Sequence, residues 1–254
     1  MDLTKDAIKF LTEVGTEPHE RIVEMDDGRL FAVNAAGSVE ELLPRVFNSK
    51  DRIPMNTLTG LVNYIKSKVE RENMPLIVHV ENEKNVHLMG PLEIDGSREI
   101  LVSASAIVPR FDFGQFYDME SFNIALQSKF VDLKTKTDLD DRAILLQVVG
   151  NVTEDNVKTT GDDGVSQAVA IKQGLASKAD VKVPNPVNLA PYRTFLEVEQ
   201  PVSQFVFRMK DGPRAAIFEA DGGAWRNQAI VNIREYLKEQ LADEVESQRI
   251  TILA

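Results

Sequence analysis

The sequence of 254 residues contains no cysteine, and this absence excludes disulfides, thiolate zinc sites and cysteine nucleophiles. It also contains no apolar run as long as a membrane span, and its first residues have the pattern of neither a signal peptide nor a transit peptide. We therefore expect a protein of the cytoplasm that has no membrane partner.

Residues that titrate near neutral pH are scarce, because the chain has only three histidines. His79 and His87 fall on two adjacent predicted strands, where pairing could bring them together beside Glu81 or Glu83 as a metal pair. With Glu81 they could also form a catalytic centre. No third ligand has the spacing of a metal site, so the polar face of a hairpin explains both histidines better. The acidic run Asp138–Asp141 lacks the glycine and the distal glutamate of a calcium loop. We predict no catalytic residue, no metal and no cofactor.

The sequence contains neither of two glycine-rich phosphate-binding motifs, G-x-x-x-x-G-K-[ST] and G-x-G-x-x-G. Gly222 and Gly223 do precede a predicted helix, whose first amides attract anions, and Arg226 follows one turn later. A plain strand-to-helix turn explains the same residues. We take these three residues as anion-binding candidates.

Basic residues are outnumbered in the chain as a whole, with 29 lysines and arginines against 40 acidic residues and a formal net charge of −11. This charge argues against a protein that coats a duplex with its whole surface, because phosphates are bound by Lys and Arg. The segment from Lys172 to Arg214 is an exception, with more basic than acidic residues. Ordinary scatter of charge on solvated strands explains it, and so does a local patch for an anionic partner. Further anion-binding candidates are therefore Lys172, Lys178 and Lys182.

The length and the apolar content of 43% suit one large core or two smaller ones. We divide the chain into an N-terminal α+β region over residues 1–112 and a C-terminal α+β region over residues 113–254, which together can also form one continuous domain. Several prolines fall between Val181 and Pro201, and proline cannot donate to a β-ladder. We predict that this segment is an extended, weakly paired arm.

Apolar spacing and turn residues predict the elements of the first region. They indicate a helix over Leu3–Leu11, a hairpin over Arg21–Val33 with Asp-Gly at its turn, and a short helix that begins at Ser38. A stronger helix begins at Asn56 or Thr57, and it is followed by three strands, Leu76–Val80, Val86–Met89 and Ile100–Ala104.

The second region shows a similar order, with a helix over Glu120–Phe130 and then three strands. These strands are predicted over Ala143–Val149, Val152–Lys158 and Val165–Ile171, the last two joined by a turn at Gly161–Gly164. The C-terminal third follows as strand, turn, strand, helix and strand. The patterns predict an α+β fold of mainly antiparallel β-sheets with a few amphipathic helices, and they suggest a repeated helix-plus-three-strand unit.

Aromatic residues are dense in one segment that is otherwise rich in loop-forming residues. Phe111, Phe113, Phe116 and Tyr117 lie within seven positions, so we expect them to pack on the protein's own sheet or on another copy. Trp225 is the only tryptophan, and it begins a predicted helix as a core residue or an interface anchor. With Tyr192 and Arg193, these residues are our interaction candidates.

Short motifs along the chain resemble the YfdQ-like family of uncharacterised bacteriophage and prophage proteins. The resemblance runs from about Leu58 onward and is densest in the C-terminal half, where the motifs are Phe113-Gly114, Glu120-Ser121-Phe122, Leu126 to Phe130, Gly150-Asn151-Val152, Asp162 to Gln167, Val183 to Pro186, Pro191 to Phe195, Glu197 to Pro201 and Phe218 to Trp225. It implies a virus-encoded protein made in the cytoplasm of an infected bacterial host. No catalytic residue follows from it.

Three functions are compatible with these observations. The first is a non-enzymatic, self-assembling phage protein that forms a homo-oligomer and binds a host or phage macromolecule, such as a host protein. The second is an accessory of DNA replication or recombination, such as a clamp-like ring whose basic segment faces DNA. The third is a decoy or small-ligand sponge that disarms a host defence.

Overall fold

The computed structural model describes residues 21–26, 29–33, 37–42, 49, 51–69, 74–94, 96–133, 140–150, 157–162, 167–173, 177–210 and 214–254. The chain divides into two compact units, the first over residues 1–50 and 91–99 and the second over residues 51–90 and 100–254. This division differs from the predicted boundary after residue 112. The predicted helix over Leu3–Leu11 lies outside the described residues.

The first unit contains a three-stranded antiparallel sheet in the order β1 (Arg21–Glu24), β2 (Leu30–Val33) and β3 (Val39–Leu42). The predicted hairpin is confirmed by the pairing of β1 with β2. The helix predicted to begin at Ser38 is wrong, because Val39–Leu42 pairs with β2 as a strand. Four residues ahead of a proline are too few for a stable helix, whereas the same four residues complete a ladder beside β2.

The second unit contains a five-stranded mixed sheet in the order β15-β5-β6-β7-β4. The two outer strands run parallel to their neighbours, and β5 is antiparallel to β6. These strands are β4 (Ile53–Met55), β5 (Leu76–Val80), β6 (Asn85–Leu92), β7 (Arg98–Ser105) and β15 (Ile250–Leu253).

One core joins this sheet to two helices, α1 (Leu58–Ser67) and α4 (Trp225–Gln240). The predicted stripe of α1 is confirmed, since its buried residues are Leu58, Leu61, Val62 and Ile65. A short helix, α5 (Ala242–Glu246), follows α4 and leads into β15. The N-terminal and C-terminal parts of the unit therefore share this core.

A second sheet of the same unit is antiparallel throughout, in the order β12-β13-β14-β8. Its strands are β8 (Tyr117–Asp118), β12 (Val187–Leu189), β13 (Ser203–Lys210) and β14 (Arg214–Glu219). The predicted hairpin of β13 and β14 is confirmed. Phe205, Phe207 and Met209 of β13 alternate into a core with α2 (Met119–Lys129) and α3 (Asp141–Gly150). Each fully buried phenylalanine contributes roughly 1.5–3 kcal/mol to folding.

The strand predicted over Ala143–Val149 is wrong, because these residues lie within α3. Leu145, Val148 and Val149 are buried along one helical stripe, and the Asp140 carboxylate accepts a hydrogen bond of 2.7 Å from the Ala143 amide. An aspartate at this position satisfies a free amide of a helix's first turn and so favours helix over strand.

Three further strands form a sheet in the order β11-β10-β9. They are β9 (Val157–Asp162), β10 (Gln167–Gln173) and β11 (Ser177–Lys182). The order of elements here is helix, helix and three strands, so the suggested repeat does not hold element by element. The α+β architecture with mainly antiparallel sheets is confirmed.

The predicted extended arm over Val181–Pro201 is largely buried. Val187–Leu189 pairs with β13, Pro191 forms a bridge with Phe130, and Phe195 and Val198 belong to the core of the five-stranded sheet. The prolines end strand pairing as expected, but the apolar side chains between them fix the segment against both cores. We call residues 191–201 the connecting loop.

Gln200 holds the connecting loop from within, because its buried amide group makes four hydrogen bonds to the loop backbone. Its carbonyl oxygen accepts from the amides of Arg193 and Thr194 at 2.9 and 3.3 Å. Its nitrogen donates to the carbonyls of Phe195 and Val198 at 2.9 and 3.2 Å. Buried backbone groups of an irregular loop need such partners, so Gln200 substitutes for a β-ladder here.

Replacing Gln200 by leucine should reduce the free energy of unfolding by at least about 3 kcal/mol, because it leaves several buried backbone groups without partners. Gln204 is exposed on β13, so Gln204→Leu should stay within about 0.5 kcal/mol of the original chain. Urea unfolding of the two variants checks this, and equal losses would contradict the assigned role of Gln200.

The start of α1 provides a second test, because the Thr57 hydroxyl accepts a hydrogen bond of 3.1 Å from the Gly60 amide. Thr57→Ala should lower the free energy of unfolding by about 1 kcal/mol, and Thr57→Ser should retain most of it. Equal free energies of unfolding for the two variants, measured with denaturant, would contradict a stabilising role of the Thr57 hydroxyl.

Candidate anion-binding cleft

A cavity of about 370 Å³ lies in the second unit, where the connecting loop meets the start of α4 and the end of β14. We call it the basic cleft. Its lining includes one carboxylate, Glu219, and three non-aromatic apolar residues, Val108, Pro109 and Pro191. The other lining residues are basic or aromatic, and they are Lys84, Arg110, Lys129, Arg193, Arg226, Phe111, Phe113, Tyr192 and Trp225.

Six of the residues predicted from the sequence meet in this cleft, namely Phe111, Phe113, Tyr192, Arg193, Trp225 and Arg226. Sequence reasoning missed four of the polar lining residues, which are Lys84, Arg110, Lys129 and Glu219. Lys84 comes from the turn between β5 and β6, and nothing in its local sequence indicates a site. The local sequence of Arg110 does indicate a site residue, because Arg110 directly precedes the aromatic segment.

Arg193 is the buried charge of the cleft, with 6% of its surface exposed. Its Nη1 donates to Glu219 Oε1 at 3.1 Å, and its Nη2 donates to the Ser203 hydroxyl. Burial lowers the pKa of Arg193 to about 10, against the raising effect of Glu219 and Asp221. The guanidinium therefore remains positively charged at neutral pH.

Trp225 lies against two guanidinium groups. The Cζ atom of Arg193 lies 3.9 Å from the centre of the indole ring, and the Cζ atom of Arg226 lies 4.8 Å from it. Such cation–π contacts favour positive charge beside the ring face. The side chain of Arg226 is half exposed, and its nearest carboxylate oxygen, on Glu83, is 3.8 Å from its Nε.

Two buried donors of the cleft have no acceptor within the part of the chain that the structure describes, and they are Arg193 Nε and Trp225 Nε1. A buried N–H without an acceptor costs roughly 1–3 kcal/mol. Both side chains line the cavity, and an acceptor atom of a bound molecule would remove this cost if it reached these nitrogens. The cleft thus combines excess positive charge with unused donors.

At the predicted anion site ahead of α4, one of the two glycine amides already has a partner within the chain. Gly222 and Gly223 have positive φ angles of 62° and 83°, and the Gly223 amide donates to Asp221 Oδ1 at 3.0 Å. The carboxylate of the chain itself therefore occupies the place of an external anion at Gly223. A Cβ atom on Gly223 would come within 2.5 Å of Arg226 Nη1, so a larger residue would displace that guanidinium.

Two of the predicted aromatic residues lie outside the cleft lining. Phe116 packs edge-on against Phe218, and Lys210 Nζ lies 4.1 Å from the centre of the Phe116 ring. Tyr117 stacks on Phe111, with 5.2 Å between ring centres, and its hydroxyl accepts from the Asp112 amide at 3.0 Å.

The three lysine candidates lie on the hairpin of β10 and β11. The register places Lys172 directly opposite Lys178, and it pairs Lys182 with Ala168. The structure describes the backbone at these positions.

The two strand histidines are cross-strand partners, as the sequence predicts, because the register pairs His79 with His87. His87 Nδ1 lies 2.9 Å from the Ser103 hydroxyl, and its Nε2 lies 3.0 Å from Glu81 Oε2. Within the described ranges no group of three or more His, Cys, Asp or Glu side chains is placed to hold a metal ion. Nor is any helix of those ranges long and apolar enough to cross a membrane.

Comparison with protein-family models, curated proteins and solved structures finds no match to this chain. The resemblance to the YfdQ-like family therefore stays an expectation from the sequence.

Asp221 offers a test of the electrostatics at the start of α4. Burial alone would raise its pKa, but hydrogen bonds from the Gly223 amide, the Ser203 hydroxyl and the Trp225 amide, with the charge of Arg193, lower the pKa below its ordinary value. Its carboxylate therefore stabilises the fold above the ordinary aspartate pKa of about 4, and this contribution disappears as the pH falls through the lower folded value.

Asp221→Asn should consequently be less stable than the original chain at pH 7, and the difference should shrink from about pH 4 downward. Urea unfolding at pH 7, 5 and 3 measures both chains. A difference that stays constant over this range would contradict the lowered pKa.

Proposed function

We propose that this chain is a non-enzymatic binding protein that takes an anionic partner at the basic cleft. The single observation that supports this function is the collection of five basic side chains around one cavity of a protein whose net charge is −11. A concave site with an excess of one sign of charge concentrates counter-ions. This effect is local, so an excess of positive charge in the cleft can attract anions although the net charge of the whole protein is negative.

The pairing of these side chains argues for a ligand rather than for an internal ion-pair network. Arg193 and Arg110 have carboxylate partners at 3.1 and 2.9 Å, on Glu219 and Asp112. The contact of Arg226 with Glu83 is longer, at 3.8 Å. Neither Lys84 nor Lys129 forms an ion pair with another described residue, so part of the positive charge is left for an external anion.

We place this activity in an infected bacterial cytoplasm, in a protein of phage or prophage origin, because the sequence resembles the YfdQ-like family. The partner on this proposal is a host or phage macromolecule, or a smaller molecule, that presents acidic groups.

Self-assembly is a second part of the proposal, and the first unit supports it. Ile22 and Leu30 are 68% and 39% exposed. The register of β1, β2 and β3 places them on one face of the sheet together with Ala32 and Leu42, and also with Glu24 and Glu40. Exposed apolar side chains with polar neighbours are typical of surfaces that bind another protein, so a second copy of this chain is the partner we propose there.

Inorganic tripolyphosphate tests the basic cleft without assuming the rest of the ligand. We expect it to bind, and we expect Lys84→Gln with Arg226→Gln to weaken binding at least tenfold in calorimetry at low ionic strength. The matched control is Lys66→Gln with Lys238→Gln, which removes the same charge from the exposed faces of α1 and α4. The control should bind like the original chain.

Equal binding by the cleft and control variants would contradict the proposal. Binding that survives the cleft variant but is lost when Lys172, Lys178 and Lys182 are replaced would instead support the DNA-ring alternative, particularly if duplex DNA then binds with a steep salt dependence.

A further inference from the structure

The basic cleft offers a planar ring as well as positive charge. Tyr192 is half-buried in the lining, and its ring and hydroxyl make no ring contact or hydrogen bond with the rest of the described chain. Phe111 differs, because it already packs against Phe113, Tyr117 and Phe130. Tyr192 is therefore the aromatic side chain of the cleft that remains available to stack on a ligand.

The residues around Tyr192 are held together by bonds across the unit. The Thr194 hydroxyl donates to the Glu83 carbonyl, which joins the connecting loop to the turn that carries Lys84. Arg226 reaches the side chain of Glu83 from the start of α4. The ring of Tyr192 and the cations of Lys84 and Arg226 thus belong to segments that contact one another.

The polar groups of the cleft fit a ligand that carries hydrogen-bond donors as well as negative charge. The unused N–H groups of Arg193 and Trp225 lack acceptor atoms, and the Glu219 carboxylate, about one-third exposed, can accept from donors of a ligand in addition to Arg193. A simple polyanion supplies acceptors alone. A molecule with a planar base, hydroxyl or amino donors and phosphate oxygens supplies all three. The cavity of about 370 Å³ falls in the range of roughly 300–1,000 Å³ that is typical of small-molecule sites.

We propose that the basic cleft binds a nucleoside phosphate, with its base stacked on Tyr192 and its phosphates beside Lys84 and Arg226. The ligand is a free nucleotide or the terminal nucleotide of a single strand, which share this chemistry. This inference rests on the proposed function, since it names the class of anion that the cleft takes. The protein holds the nucleotide and forms or breaks no bond in it.

Calorimetry with three kinds of probe tests the inference. The probes are each of the four ribonucleoside triphosphates, inorganic tripolyphosphate, and a 5′-phosphorylated single-stranded tetranucleotide. We expect at least one nucleotide probe to bind about tenfold more tightly than tripolyphosphate, which is the contribution of one stacked base. Tyr192→Leu should abolish this advantage, and Tyr192→Phe should keep it.

The affinity of Tyr192→Leu for tripolyphosphate serves as its folding control, because that probe does not use the ring. Tripolyphosphate that binds as tightly as every nucleotide probe would overturn this inference and leave the proposed function intact, whereas no binding of any probe would overturn both. If the tetranucleotide binds more tightly than the free nucleotides, the ligand is a strand end. The reverse order identifies a free nucleotide, and both orders support the inference.

Discussion

The buried guanidinium of Arg193 is the constraint on which the second unit depends. A charge that is almost fully removed from water must be compensated by nearby groups, and removing its partner in such a pair typically costs about 3–5 kcal/mol. Here the compensation comes from Glu219 at the end of β14, Ser203 at the start of β13 and the face of Trp225 at the start of α4. The contacts that compensate the charge of Arg193 therefore hold β13, β14 and α4 together, and the basic cleft lies where they meet.

The connecting loop, which carries Arg193, is packed against both cores. Gln200 closes the loop on itself, while Phe195 and Val198 enter the core of the five-stranded sheet and Pro191 bridges to the end of α2. Because the loop has no β-ladder along most of its length, its shape is fixed by these buried groups. Tyr192 of the same loop lines the cleft, so the part of the chain that joins the cores also provides part of the proposed binding surface.

Sequence patterns predicted elements whose signal is local. The stripe of α1 and the hairpin of β13 and β14 needed only apolar spacing and turn residues, and both are confirmed. The apolar run Ala143–Val149 is rich in β-branched residues and fits a strand and a buried helix equally well. The helix forms because the Asp140 carboxylate accepts a hydrogen bond from an amide of its first turn. Lys84 and Glu219 could not be predicted as site residues, since they reach the cleft only through contacts between distant parts of the chain.

We propose that the unused donors and the positive charge of the basic cleft meet a bound anion. Trp225 is the only tryptophan, so the protein has a single indole N–H whose resonance in a nitrogen-15 correlation spectrum reports on the cleft directly. We predict that this resonance shifts saturably as inorganic tripolyphosphate is added, because the indole N–H gains an acceptor. A resonance that stays in place while the protein is titrated to millimolar tripolyphosphate would contradict the account.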